Sequence, residues 1–572
     1  MMSALSRWSG SAAAAVVGLI FGATQASAAA PRSASTSPSC PAGVGYRVGV
    51  AKADITPTVW PVAEAAYSVG RLAYSAAHPF YARAMAVQSC ATGATVVLTG
   101  IDSQGYFAAY KEDPVSTDAA TGYGLTAIRL TAAAATGVPA ADIVVAATHT
   151  HNSPDSVGVW AGGSTANNKA PYLERVKDGT VAAITAAVQD LQPATLRVGT
   201  ADITSLVTTV GQVSNDPSDY PVDTALKVLQ ATAVSDCHPI ATLVDASVHA
   251  TVAGEIHGPA AAPDRQVIDP DWPGRVATDL ESELPGNTAV VLAGAVGRTQ
   301  PRFPTGTDPA SPDPLTEIAA YGDVMSRRVG SALAAATPVA PGPVAAVDTM
   351  LAEEIEDPAL VALFTDERGG PNQSGGTTVG GLMRSVLPPY SAGNVVAAEA
   401  ANLRIGGLLL SGTPGEGYPE VSTELAARVA TTGAPVIPIS LADDQLGYTP
   451  PAFEYPFVAL ADGGDEGVFT INPHFGADLI NADLAAARSL GFTTTGTEPY
   501  LGTGPAVPPD QGSPAPSTTL PEPAEQPLSL GCPAVQPTAS LPEAPYPAAL
   551  VALFGLGAVV AALVRHRLRL TR

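Results

Sequence analysis

The chain has 572 residues with 52 acidic and 28 basic side chains, a formal net charge of −24, and 46% apolar residues. That apolar fraction can build a core and excludes a disordered polyanion, while the acidic surplus argues against nucleic-acid binding, which needs clustered lysine and arginine. The length suits one large domain or two ordinary ones.

The first 28 residues are typical of a secretory signal peptide. Arg7 precedes an apolar run over residues 12–21, and Ala26-Ser27-Ala28 has the pattern of a cleavage site. A buried N-terminal helix is the alternative interpretation of this run. An N-terminal loop over residues 29–43 follows, and we expect an exported protein.

The C-terminal end is predicted to anchor the chain in a membrane. Residues 548–564 carry no charge and would form roughly 25 Å of helix. The basic tail 565–572 follows, and the Pro-, Ser- and Thr-rich stretch 503–547 is typical of an extended linker. This order predicts a single-pass anchor, with the folded part, residues 44–502, at the cell surface. Sortase attachment is the alternative, although residues 541–545 lack its Thr-Gly pair.

Four cysteines occur without a Cys-x-x-Cys pair: Cys40, Cys90, Cys237 and Cys532. In an exported protein they predict up to two disulfides, with three pairings open. This spacing argues against a cysteine-based zinc site.

Short apolar strands alternate with helices, which predicts an α/β fold of mixed sheets covered by helices. The predicted helices are 172–192, 273–284, 313–336, 417–430 and 476–490. The predicted strands are 45–56, 83–89, 94–101, 142–147, 226–234, 241–247, 288–292, 401–410 and 435–439. Two pairs are predicted hairpins, 83–89 with 94–101 and 226–234 with 240–247.

Five of these strands end in polar residues capable of catalysis. The segments that follow them are 148–153, His249, 294–300, 411–416 and 443–448. Because ligands bind where the carboxyl ends of strands meet in layered α/β folds, we expect these ends to line one pocket.

His149 and His151 are the most suggestive pair among these segments. Two residues apart on a strand end they would face the same side, and neutral imidazole binds Zn²⁺. Alone, such a pair is more often structural than a ligand, and His249 alone is weaker evidence. The sequence lacks His-Glu-x-x-His, Gly-x-Ser-x-Gly and a P-loop lysine, so the corresponding common sites are not expected.

Seven short segments together carry a family resemblance. They are residues 48–57 (VGVAKADITP), 81–84 (YARA), 147–155 (ATHTHNSPD), 248–251 (VHAT), 268–274 (IDPDWPG), 414–416 (PGE) and 446–448 (LGY). Each is short, but their joint order resembles the N-terminal catalytic domain of the neutral/alkaline (non-lysosomal) ceramidase family.

The resemblance implies a zinc-dependent amidase with the metal ligands His149, His249, Glu416 and Tyr448. It assigns His151 to catalysis, orienting or exchanging a proton with the metal-bound water. Zn²⁺ lowers the pKa of bound water toward about 7 and polarises the amide carbonyl. The implied substrate is ceramide or a related N-acyl lipid, which a membrane anchor would keep within reach.

Two departures from the family pattern bear on activity. The family's Gly-Asp-Val-Ser-Pro-Asn loop carries a catalytic serine, whereas residues 297–302 read GRTQPR, with Gln300 at the serine position and Arg298 at the aspartate. Glutamine cannot act as that nucleophile, and Thr299 could only if the loop register shifted. The roughly 55 residues between Tyr448 and the linker are also too few for the family's C-terminal immunoglobulin-like domain.

Two alternative functions follow from these departures. One is a hydrolase of a non-sphingolipid amide or ester on the same scaffold, and the other is a catalytically inactive cell-surface binding protein. The sequence also leaves two roles open for each of two acids: Asp102 could face the pocket or cap a turn, and Asp271 could fix the turn before its helix or support His249.

Overall fold

The structure, a computed structural model, describes residues 40–65, 70–110, 122–158, 160, 169–209, 222–254, 266–302, 313–356, 395–430, 435–452, 469–496 and 499–500. The predicted signal peptide, linker, membrane span and tail lie outside these residues. Among the helices that are described, none combines the length and apolar composition needed to cross a membrane.

The described helices and strands alternate along the chain. The helices are α1 (Leu125–Thr136), α2 (Lys169–Gln189), α3 (Asp271–Glu283), α4 (Pro314–Ala335), α5 (Pro419–Arg428) and α6 (Phe475–Ser489). The strands are β1 (Tyr46–Asp54), β2 (Val62–Ala63), β3 (Leu72–Ala76), β4 (Tyr81–Ser89), β5 (Thr95–Ile101), β6 (Ile143–Ala147), β7 (Gln192–Asp202), β8 (Val207–Thr209), β9 (Ala225–Ala233), β10 (Pro239–Ala246), β11 (Gln266–Ile268), β12 (Thr288–Ala293), β13 (Thr299–Pro301), β14 (Thr337–Pro338), β15 (Val344–Glu354), β16 (Val395–Ile405), β17 (Leu408–Gly412), β18 (Glu416–Gly417), β19 (Val429–Ala430), β20 (Val436–Ile439), β21 (Tyr448–Thr449) and β22 (Thr493–Thr494).

The main sheet has the strand order β12-β10-β9-β7-β1-β4-β5-β6, with β14 beside β7. Strands β5 and β6 pair in parallel, as do β10 and β12, while the remaining pairs are antiparallel. Both predicted hairpins are present, β4 with β5 and β9 with β10. The prediction of mixed sheets is confirmed.

A second sheet has the order β15-β16-β17-β20 and corrects one predicted strand. The apolar run 401–410 is the end of β16 and most of β17, which pair antiparallel around a turn at Gly406. Gly406 has a φ of 61°, which glycine adopts without steric cost. Because residues on both sides of the turn are buried, hydrophobicity alone showed no break there.

The two sheets pack face to face between outer layers of helices. Apolar side chains that point to the same side of the main sheet, including Leu98 and Val144, meet Leu410 and Ile437 of the second sheet. The alternate residues point outward, so Leu409 packs against α5 and α6. Strands covered on both faces are therefore almost continuously apolar, as buried strands are.

One disulfide, Cys40–Cys90, joins the start of the described chain to the β4–β5 hairpin. It excludes two of the three possible pairings, so a second bridge could only join Cys237 to Cys532, and Cys532 lies outside the described residues. A structural disulfide indicates an oxidising compartment, such as the cell exterior.

Candidate metal centre

The ends of β6, β10, β12, β17 and β20 meet at one place, as their polar sequences predicted. Backbone hydrogen bonds join the segments that follow them, with donor–acceptor distances of 2.8–3.1 Å: His151 N to Ala250 O, His249 N to Thr299 O, Gly297 N to Gly417 O, and Glu416 N to Gly447 O. The site is thus assembled from segments far apart in sequence.

Three of the four predicted metal ligands converge on one buried point. His149 Nε2 lies 3.2 Å from Glu416 Oε2, and His249 Nε2 lies 3.3 Å from the same oxygen. The two imidazole rings are 4.6 Å apart between centroids, and both histidines are 1% exposed. Two nitrogens and one carboxylate oxygen are a donor set that Zn²⁺ accepts.

The other ring nitrogens of these histidines are held by backbone carbonyls. His149 Nδ1 lies 2.6 Å from Gln104 O, and His249 Nδ1 lies 2.9 Å from Thr299 O. Because a carbonyl oxygen only accepts, Nδ1 carries the hydrogen, and a neutral ring turns its Nε2 lone pair toward Glu416. The two Nε2 lone pairs and the Glu416 carboxylate are all acceptors, and burying them together without a donor costs free energy. A cation at their centre would remove this cost, so the residues fit one.

The electrostatics of the cluster favour positive charge. Burial disfavours a charged His149, but the Glu416 carboxylate outweighs burial and raises the pKa of His149. Burial likewise opposes ionisation of Glu416, yet the two histidines hold the pKa of its carboxyl well below its usual range. These shifts favour a proton on His149 beside the Glu416 carboxylate, and a cation bound here would take the place of that proton.

His151 lies at the more exposed edge of the cluster. Its Nε2 is 3.2 Å from His149 Nε2, and nitrogens of all three histidines lie within 4.8 Å of one another. Burial, followed by the neighbouring His149 and His249, lowers the pKa of His151 well below its usual value. Two roles fit this position: a third nitrogen ligand, or a neutral base that exchanges a proton.

His149 and His151 converge for a different reason from the one predicted. Strand β6 ends at Ala147, and His149 has a φ of 63°, in the left-handed region. The alternation of a regular strand therefore does not place these side chains. A left-handed non-glycine residue costs about 1–3 kcal/mol and is characteristic of functional sites.

Tyr448, the fourth predicted ligand, is the neighbour of Glu416 in a backbone ladder. Strands β18 and β21 pair in parallel with Glu416 opposite Tyr448, so both side chains leave the ladder on the same face. The Tyr418 ring lies perpendicular to the Tyr448 ring at 6.3 Å. The ladder thus places Tyr448 beside Glu416.

The side chains of Thr299 and Gln300 have different partners in the segment 298–300. The Thr299 hydroxyl is buried and donates to Ala295 O at 3.5 Å, while the Thr299 carbonyl holds His249. Gln300 instead accepts a hydrogen bond from the Thr251 hydroxyl at 2.8 Å. The Thr299 hydroxyl is therefore directed into its own segment, and the Gln300 carboxamide toward Thr251.

The carboxylates of Asp102 and Asp271 both accept hydrogen bonds from main-chain amides and so have structural roles. Asp102 is buried, pairs with Arg83 at 2.7 Å, and accepts the Tyr81 amide at 2.8 Å. Asp271 accepts the Trp272 amide at 2.6 Å and so fixes the start of α3. Support for His249 comes from Trp272, whose Nε1 donates to the His249 carbonyl at 3.0 Å.

Two further residues contact the ligands and were not singled out from the sequence. Gln104 contributes only its main-chain carbonyl to His149, for which no side-chain pattern exists. Gln445 donates from Nε2 to Glu416 Oε1 at 3.3 Å. Gln445 lies in the polar segment after β20. Its position near a strand end was the one sequence signal that could have identified it as a site residue.

Two solved structures with a similar architecture are ceramidases. The crystal structure of neutral ceramidase from Pseudomonas aeruginosa matches with a TM-score of 0.58 and 18% sequence identity, over 79% of this chain and 78% of that chain. The chain has the fold of the neutral ceramidases. A ceramidase complexed with C2 matches with a TM-score of 0.59 and 18% identity, over 78% of this chain and 75% of that chain.

Neither a family model nor a curated protein sequence matches the chain. At 18% identity the structural likeness establishes the ceramidase fold, and the activity has to be argued from the site. The predicted fold class is confirmed.

Proposed function

We propose that this protein is an exported, zinc-dependent amidohydrolase that cleaves the amide bond of ceramide or a related N-acyl lipid. The observation that carries the proposal is the meeting of His149 Nε2, His249 Nε2 and Glu416 Oε2 at one buried point. The ceramidase fold supplies the substrate class, and the disulfide supports export.

In this proposal His149, His249, Glu416 and Tyr448 hold the zinc ion. Bound there, zinc acidifies a water molecule and polarises the amide carbonyl. The carbonyls of Gln104 and Thr299 keep the two imidazoles in the tautomer that binds metal. The Gln445 amide orients the Glu416 carboxylate from its other oxygen.

His151 moves the proton. The attacking water loses a proton to His151 Nε2 as its oxygen adds to the carbonyl carbon. The same nitrogen then delivers this proton to the amine nitrogen as the carbon–nitrogen bond breaks. The fatty acid and the free amine leave, and the histidine returns to its neutral form.

Gln300 favours a second candidate, a hydrolase of a non-sphingolipid amide or ester on this scaffold. Replacing a serine by a larger carboxamide changes both the volume and the hydrogen bonding at the site. If the replacement abolishes turnover, the chain is a cell-surface protein that binds such molecules without cleaving them.

The location is part of the same proposal. The signal peptide 1–28 would export the domain, and the linker 503–547 and span 548–564 would hold it beside the membrane, with the tail 565–572 inside. Surface protease digestion of intact cells tests this arrangement, since only the domain outside should be released.

Metal analysis of the purified full-length chain in detergent tests the centre. We expect about one zinc per chain, lost on His149→Ala or Glu416→Ala. His151→Ala should keep the zinc and lose turnover. His238→Ala is the matched control, because His238 lies in the β9–β10 turn, at the end of β10 opposite His249, and pairs with Asp236.

Each readout has a contrary result. A chain without metal would refute the zinc mechanism, and loss of zinc from His151→Ala would make His151 a ligand. Turnover of ceramide is then compared with that of other N-acyl compounds and esters. Cleavage restricted to non-sphingoid compounds supports the second candidate, and a zinc-loaded chain that cleaves none of them is a binding protein.

A further inference from the structure

Thr251 and His151 each follow one partner of a backbone bridge at the site. Thr150 and Ala250 form a parallel bridge, and His151 N donates to Ala250 O at 3.1 Å. Parallel pairing sets corresponding residues side by side. The rings of the buried His149 and His249 are 4.6 Å apart and are called the inner row. The less buried His151 and Thr251, on either side of the bridge, are called the outer row.

The Gln300 carboxamide is attached to this outer row. The Thr251 hydroxyl donates to Gln300 Oε1 at 2.8 Å, and Thr299, one residue earlier, holds His249 through its carbonyl. The inner histidines are each 1% exposed, whereas His151, Thr251 and Gln300 are half-buried. The outer row is consequently the less buried side of the cluster.

The structure sets Gln300 Oε1 against the Thr251 hydroxyl, so the NH₂ group is the other end of the carboxamide. With Oε1 engaged, the NH₂ group of Gln300 remains as the donor. In the part of the chain that the structure describes, this NH₂ has no hydrogen-bond partner. A half-buried donor beside the candidate metal centre suits an acceptor oxygen on the substrate.

We propose that the Gln300 NH₂ group binds the carbonyl oxygen of the scissile amide, and that Thr251 is the residue that positions it. The inference rests on the proposed hydrolase function. The donor strengthens as the carbonyl oxygen gains negative charge during water addition. Because a carboxamide is no nucleophile, water adds directly to the carbonyl carbon, and the acyl group is never transferred to this residue.

Turnover of N-dodecanoylsphingosine in detergent micelles by the zinc-loaded full chain tests the role of Gln300. Gln300→Leu should lower kcat on the order of 100-fold, with zinc content and melting temperature unchanged. Thr251→Val should lower kcat while Thr251→Ser restores it. A structural role for Thr251 would not produce this rescue at constant stability.

Binding of dodecanoate, measured by calorimetry, gives a readout independent of turnover. An oxygen of its carboxylate stands in for the carbonyl oxygen of the scissile amide. Gln300→Leu should weaken it about tenfold. Unchanged turnover and unchanged dodecanoate affinity in Gln300→Leu would overturn the inference and leave the hydrolase proposal intact. If the wild-type chain cleaves no N-acyl compound, a weaker affinity in Gln300→Leu still supports the carbonyl contact while the hydrolase proposal fails. A wild-type chain that neither cleaves nor binds contradicts both.

Discussion

Glu416 and Tyr448 stand opposite each other in a parallel ladder of two residues per strand. The ladder depends on Gly447, which has a φ of 85° and whose carbonyl accepts the Glu416 amide at 2.8 Å. A Cβ atom on Gly447 would overlap the Phe469 carbonyl oxygen. The position of both predicted ligands therefore depends on a glycine between them.

Gly447→Ala should separate Tyr448 from Glu416. The left-handed backbone and the overlap together should cost more than about 2 kcal/mol, and zinc affinity should fall. Urea unfolding and zinc content measure the two effects. Gly43→Ala is the matched control, because Gly43 has a φ of 84° but nothing within 4 Å of its added Cβ. Equal losses in both variants would show that backbone strain alone matters.

The buried ion pair between Arg298 and Glu420 should be sensitive to loss of the acid. Arg298 also lies over the Tyr418 ring, 5.5 Å from its centroid, and its side chain is 2% exposed. Glu420→Ala leaves the buried guanidinium without this carboxylate, which should cost about 3–5 kcal/mol of unfolding free energy.

Another acid of α5 provides the control for that change. Glu424 pairs with Arg428 at 2.7 Å near the surface, so Glu424→Ala should cost less than about 1 kcal/mol. Chemical denaturation of both variants gives the comparison. A Glu420→Ala variant as stable as Glu424→Ala would show that the buried pair contributes little.

Glu64 should make the fold less stable as the pH rises. Its side chain is fully buried, and burial, partly offset by Arg71, raises the pKa of Glu64 from 4.5 to about 7. The folded state then keeps a proton that the unfolded state releases. The stability from this proton is present below pH 4.5 and is lost as the pH rises to about 7, a change on the order of 3 kcal/mol.

Glu64→Gln should flatten this dependence. Urea midpoints at pH 5 and pH 8 should differ less for this variant than for the wild-type chain. Glu283→Gln, at the exposed end of α3, should keep the wild-type difference. An unchanged slope in Glu64→Gln would show that Glu64 ionises normally in the folded protein.

The Cys40–Cys90 bridge closes a loop with a sequence separation of 50. Replacing both cysteines by serine should lower the free energy of unfolding by about 2–4 kcal/mol, mainly because the unfolded chain gains freedom. Thermal unfolding without reductant measures the change. Selective reduction of the same bridge in the wild-type chain should lower its melting temperature to that of the variant, and a smaller effect of reduction would contradict the interpretation.

The sequence predicted the strands that carry the site because their patterns are local. The apolar runs before His149 and His249 end where the structure ends β6 and β10, within one or two residues. Both hairpins follow from short turns between apolar runs. Strand β7 was missed because its first residue, Gln192, was included in the predicted helix 172–192. Helix α1 was missed because its many alanines give a weak amphipathic pattern.

The site itself required more than local patterns. The segments of His149, His249 and Glu416 are brought together by the packing of two sheets, which no spacing encodes, so only the family resemblance grouped them. The left-handed turn at His149 has no sequence signal, because most histidines, like most non-glycine residues, have negative φ. Main-chain acceptors such as Gln104 O are equally invisible, because any residue supplies a carbonyl.

The point at which His149, His249 and Glu416 meet also lies at the interface between the two sheets. The histidines follow strands of the main sheet, and Glu416 follows a strand of the second. A metal ion held by all three would cross-link the two sheets. The layers could then not separate at this point without breaking a metal–ligand bond.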